Sequence, residues 1–135
     1  EERAFAEKLQ ETLIAPSNLA NTNAVMPYRV EEDGIGGSTD VGDVSWVVPT
    51  AGMRAATWVP GTSGHSWQAV AAGGTSIGTK GMIVAAKTMA LTAIDLYKDP
   101  SIIKAAKEEL LRRRGPDFIY TPLTGDREPP LDYRN

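Results

Sequence analysis

The first apolar positions, Phe5, Leu9 and Leu13, recur at a spacing of four, which lays one stripe along a helix over residues 2–14, closed by Pro16. Glu1 and Glu2 stand at its start, where acids suit the helix dipole. Residues 17–40 shift to Asn, Gly and Ser around a mildly apolar piece, residues 25–30, which reads as a short strand interrupted at Pro27. Residues 44–48 and 55–59 are compact β-branched and aromatic runs, each followed by a proline (Pro49, Pro60). They predict two short, mostly buried strands, the first able to begin as a helical turn. Gly61, Gly64, Gly73, Gly74, Gly78 and Gly81 then mark a loop-rich stretch where backbone must pass close to another group.

Over residues 79–98 the period becomes helical. Met82, Ile83, Ala86, Met89, Ala90, Ala93, Ile94 and Tyr97 form a wide apolar face, on which Met82 and Met89 are expected to fill core. Asp99-Pro100 is a helix-start pair, with the aspartate as cap and the proline in the first turn. The helix it opens runs to about Arg114, where Gly115-Pro116 stops it. Residues 117–135 lack periodicity and read as an extended surface tail. Helix, short strands and two helices together predict an α/β fold in which a few short strands are covered by long helices. So few strands make a poor sheet alone, and the chain, which opens within an amphipathic segment, is expected to be part of a longer polypeptide.

The 135 residues suffice for one core. With 14 basic and 17 acidic side chains, charge argues for neither nucleic acid nor an anionic membrane as partner. No uninterrupted apolar run approaches the roughly 20 residues needed to cross a bilayer. The absence of cysteine removes disulfides and thiolate metal sites and fits a cytoplasmic setting.

Several motifs fail on inspection. Gly74-Thr75-Ser76-Ile77-Gly78 fits a nucleophile elbow in letters, but residues 69–73 make a poor strand and the sole histidine lies upstream of the serine. Ser76 or Thr79 is the expected helix cap instead. Residues 73–81 miss the phosphate-cradling loop because Thr79 separates Gly78 from Lys80 and glycine follows the lysine. Residues 34–39 lack the last glycine of a dinucleotide fingerprint. Arg112, Arg113 and Arg114 read as a solvated helix end, and Asp40 and Asp43 as turn and cap chemistry. His65 sits in a Gly/Ser/Thr loop after an apolar run, free to reach a site that a core histidine cannot, although a lone histidine is by itself more often structural or exposed than catalytic.

Taken in order, residues 37–46 (GSTDVGDVSW), 48–50 (VPT), 61–68 (GTSGHSWQ) and 80–82 (KGM) resemble one group. It is the aminobenzoyl-glutamate hydrolase subunit group of co-catalytic metallopeptidases and amidohydrolases, akin to aminoacylases and carboxypeptidases. The resemblance covers about residues 1–115 and implies the C-terminal portion of a three-layer α/β/α zinc-peptidase-like catalytic domain, with the N-terminal part and a dimerising lid outside residues 1–135. It implies two zinc or manganese ions in the intact site, His65 as one metal ligand, and a glutamate general base elsewhere. Asp43 and Ser45 match a segment beside the active site, with Val44 in place of the usual aromatic, and Thr62 and Ser63 flank the histidine as substrate-binding or supporting groups. The activity implied is hydrolysis of the amide of N-acyl or N-aroyl amino acids by the intact protein, as a homodimer or hetero-oligomer. These residues alone are expected to be inactive. The competing class is a non-catalytic binding or scaffold domain that retains the fold.

Overall fold

The computed structural model describes residues 1–20, 22–28, 30 and 39–132. Five helices are present among them: α1 (Glu2–Gln10), α2 (Val41–Val47), α3 (Trp67–Gly73), α4 (Ser76–Lys98) and α5 (Pro100–Arg114). The chain divides into two units, the first from residues 1–34 and 52–98, the second from residues 35–51 and 99–135.

In the first unit, the stripe of α1 does what its spacing predicts. Ala6 and Leu9 are buried with Val59 and Ala72, and Phe5, Leu19 and Ile77 pack against them. Burying a leucine or valine contributes about 1.5–3 kcal/mol, so this small cluster is the adhesive of the unit. Polar bonds lace its rim. The Gln10 amide donates to the Pro60 carbonyl at 2.7 Å, and the Gln68 amide to the Thr12 carbonyl at 3.1 Å. Gln10 closes α1 short of the predicted residue 14.

From Trp67 the glycine-rich stretch is helical apart from the break at Gly74 and Thr75, where open loop was expected. The expectation of close backbone approach holds. A side chain at Gly78 would meet the Gly73 carbonyl, and one at Gly81 would meet the Ala56 carbonyl. Thr75, rather than Ser76 or Thr79, caps α4: its hydroxyl accepts from the Ile77 amide at 3.2 Å and donates to the Ala72 carbonyl at 2.6 Å.

Across the α1–α4 groove, Lys80 donates to the Glu2 carboxylate at 2.7 Å, and the Ser76 hydroxyl bonds the same oxygen. The lysine bond first, and the serine bond second, hold the Glu2 carboxyl below the usual carboxylate range. A depressed folded-state pKa means stabilisation that is complete above the unfolded value of about 4.3 and is lost as pH falls through the lower folded value. Glu2→Gln is therefore expected to lower stability slightly in the neutral region and to converge with the unaltered protein in acid, so that the acid limb of stability against pH is flatter. Urea midpoints between about pH 3 and pH 7 test this; an unaltered acid limb counts against it.

The predicted α/β architecture is corrected by the structure. No strand occurs among the described residues, and the architecture is helical. Residues 41–47 wind into α2 because local i→i−4 bonds (Val44 N to Asp40 O, Val48 N to Val44 O) satisfy a backbone that β-branched residues only weakly bias. The Thr39 hydroxyl accepts from the Val41 amide at the entry to this helix. Residues 51–57 are neither helix nor strand: a segment becomes a strand only with a partner to exchange backbone bonds, and none does so among the described residues. Residues 25–28 likewise join no ladder, and Arg29 lies outside the described residues, as do residues 34–38 of the glycine-rich motif.

Helix α4 spans its predicted range and three residues more, but Met82 and Met89 do not fill core: they are 57% and 61% exposed. Its buried positions are Gly78 and Gly81, with Ile77 packing on the core, rather than the predicted apolar face. At 23 residues and a mean hydropathy of 1.2 in its most apolar window, α4 meets the length and composition of a membrane span. Lys80, Lys87 and Asp95 interrupt it, with Lys80 ion-paired to Glu2, so no continuous 20-residue apolar run exists.

In the second unit, α5 matches its sequence signals. The Asp99 carboxylate accepts from the Ser101 amide at 3.0 Å, and the helix ends where Gly115 takes φ +82°. Residues 117–132 carry turns and no helix or strand.

Candidate functional site

His65 stands in the turn between Val59 and α3, exposed, with φ +56°, the left-handed region that a residue bearing a Cβ enters only when its surroundings hold it there. Ser66 supplies the hold. Its hydroxyl donates to the Ser63 carbonyl at 2.7 Å and accepts from the Ala69 amide at 3.2 Å, so one side chain both closes the turn and caps α3. Gly61 begins the loop at φ +86°, close against the Ala15 carbonyl. The Thr62 amide bonds the Val59 carbonyl at 3.1 Å, while its buried hydroxyl oxygen has no partner. Ser63 is exposed and serves through its carbonyl. The loop thus presents an imidazole on a stem tied by short local bonds, and Thr62, Ser63 and His65 are brought together.

Among the described residues, no three histidine, aspartate or glutamate side chains converge as a metal-binding group. His65 is one donor of the type a divalent zinc or manganese site uses, and one donor does not make such a site.

Asp43 and Ser45 belong to α2 in the second unit. The Ser45 hydroxyl is spent on the Gly42 carbonyl of its own helix at 2.7 Å. Asp43 accepts from the Tyr120 hydroxyl at 3.0 Å. Desolvation, followed by the bond to Asp43, pushes the Tyr120 phenol above its ordinary range. Trp46, one turn on, stacks on Phe118 with centroids 4.9 Å apart and planes 16° apart. Arg114 donates to the Trp46 carbonyl at 2.9 Å and lies 5.3 Å from the Phe118 ring centroid. Arg113 pairs with Glu109 on the exposed face at 2.6 Å, but Arg114 is half-buried and its Nε has no partner, so the solvated-end reading fails for this one arginine. Tyr120, Phe118 and Arg114 are the residues around Asp43 that motif reasoning misses. The only signal is an aromatic pair in a tail otherwise poor in apolar pattern.

No family model matches the chain. A comparison with curated proteins finds a p-aminobenzoyl-glutamate hydrolase subunit of Escherichia coli (strain K12), 40% identical over 107 residues. This chain is similar to that hydrolase subunit. The match takes in 79% of the chain, and the chain spans 21% of the relative's length. It falls on the group that the ordered motifs resemble. No solved structure matches.

Proposed function

We propose that the intact protein hydrolyses the amide bond of N-acyl or N-aroyl amino acids, with aminobenzoyl-glutamate-like compounds as substrates, and that His65 is one of its metal ligands. The observation that carries this reading is the 40% identity over 107 residues to a p-aminobenzoyl-glutamate hydrolase subunit. The exposed imidazole at the tip of a pinned turn is a second support. In this reading two zinc or manganese ions, when bound, polarise the scissile carbonyl and supply an activated water. His65 offers a ring nitrogen and fixes the position of one ion. The remaining donors and the general base belong to the rest of the intact protein. The name of the relative also favours association with a further subunit, and the composition favours a cytoplasmic setting.

The direct test is p-aminobenzoyl-glutamate hydrolysis by the intact protein, followed as release of the aromatic amine. Activity should be lost on chelation and restored by manganese or zinc. Intact protein that turns over no aroyl or acyl amino acid with either metal present points to the binding or scaffold class instead. A second expectation concerns residues 1–135 alone. With one histidine, no cysteine and no converging acidic group among the described residues, they should show no stoichiometric zinc site in a calorimetric titration. Tight one-to-one binding would remove the need for donors elsewhere and sink that part of the reading.

A further inference from the structure

The second unit carries a shallow groove of about 270 Å³ lined by Asp43, Trp46, residues 118–121 and Leu123. Its chemistry is asymmetric. One wall is aromatic, with Trp46 about half exposed and backed on Phe118. Ile119 and Leu123, both largely exposed, add an aliphatic edge. The carboxylate of Asp43 is the acidic group of the lining, and one of its oxygens accepts a bond from Tyr120. A carboxylate oxygen offers about two acceptor sites, so capacity remains for a further donor. Arg114 does not line the groove; its guanidinium is engaged with the Trp46 carbonyl and the Phe118 ring.

We propose that this groove binds the amine-bearing ring of an aryl amine, the ring lying against Trp46 and the N–H donating to the Asp43 carboxylate. Size favours a single ring: drug-sized pockets run from roughly 300 to 1,000 Å³, and this groove falls just below them. Charge favours a donor over an acid, because a ring carboxylate would face Asp43. Tyr120 acts as a positioning residue here, holding the carboxylate toward the groove with its hydroxyl while Phe118 backs the tryptophan. That the natural occupant is the aminobenzoyl end of a substrate rests on the hydrolase reading above; the aryl-amine chemistry does not.

The test is equilibrium binding to the metal-free intact protein, with 4-aminobenzamide and benzamide as probes that differ by the amine alone. Because Trp58 and Trp67 also emit, the readout is the shift of the Trp46 indole N–H resonance, assigned by its absence in Trp46→Phe. The amine-bearing probe should bind about tenfold or more tightly than benzamide, the range for a hydrogen bond to a charged group. Asp43→Ala should abolish that preference. Equal binding of the two probes to the unaltered protein overturns the proposal without recourse to any variant. So does saturable binding that leaves the Trp46 resonance unmoved. Since no metal or turnover enters the measurement, the two ideas fail separately. Amine-selective binding by a protein without hydrolase activity keeps the groove and removes the enzyme; hydrolysis with no amine preference does the reverse.

Discussion

His65→Asn in the intact protein is expected to lower kcat/KM for aminobenzoyl-glutamate by at least about a hundredfold and to reduce the bound metal. Residues that merely orient a metal ligand cost about 10–100-fold when changed, and loss of the ligand itself should exceed that. Asparagine is the informative replacement because His65 sits at φ +56°, a region asparagine enters several-fold more readily than alanine does. It removes the imidazole while sparing the turn that Ser66 closes on Ser63. His65→Gly should lose as much activity, since it relieves the backbone and still supplies no ring nitrogen. Alanine confounds the two effects, as left-handed backbone costs a Cβ-bearing residue roughly 1–2 kcal/mol. Steady-state kinetics with metal analysis of the purified variants decides the matter. Wild-type turnover by the asparagine variant would take His65 out of the metal site.

Where the sequence speaks clearly, the governing interactions are local. Asp99-Pro100 and Gly115 bracket α5 because capping needs only a neighbour two residues away and a glycine that tolerates φ +82°. The stripe of α1 is likewise readable from spacing, and Leu9 is buried where spacing puts it. The expected strands do not form because β-branched composition reports a preference that a ladder partner must realise, and residues 51–57 meet none among those described. Met82 and Met89 escape the core for a related reason: a helical apolar face shows which side seeks cover, not whether the chain at hand provides it. Within the candidate site, His65 and its loop stand out as a contiguous motif. The bond between Tyr120 and Asp43 joins residues 77 apart, a separation at which no spacing rule operates.

The glycines of α4 offer the sharpest structural test, because two opposed effects of known sign meet at one position. In a free helix, glycine to alanine stabilises by about 0.8–1 kcal/mol. At Gly81, however, a Cβ would press on the Ala56 carbonyl and stand 2.9 Å from the Thr57 methyl, and at Gly78 it would meet three backbone atoms of Gly73. Backbone cannot swing aside as a side-chain end can. The clash therefore displaces the segment before Val59, or opens the α3–α4 junction, at the usual overpacking cost of about 1–3 kcal/mol. Where the clash outweighs the helix preference, Gly81→Ala and Gly78→Ala should each lower stability, by up to about 2 kcal/mol net. Gly42, in α2, has nothing within 4 Å of its would-be Cβ. There the helix preference acts alone, and Gly42→Ala should raise stability by about 0.4–1 kcal/mol. Urea denaturation of the three variants reads the sign directly. A stabilised Gly81→Ala would mean that α4 does not rest on the Ala56 backbone, leaving Ile77 as its apolar contact with the small core of Leu9, Val59 and Ala72.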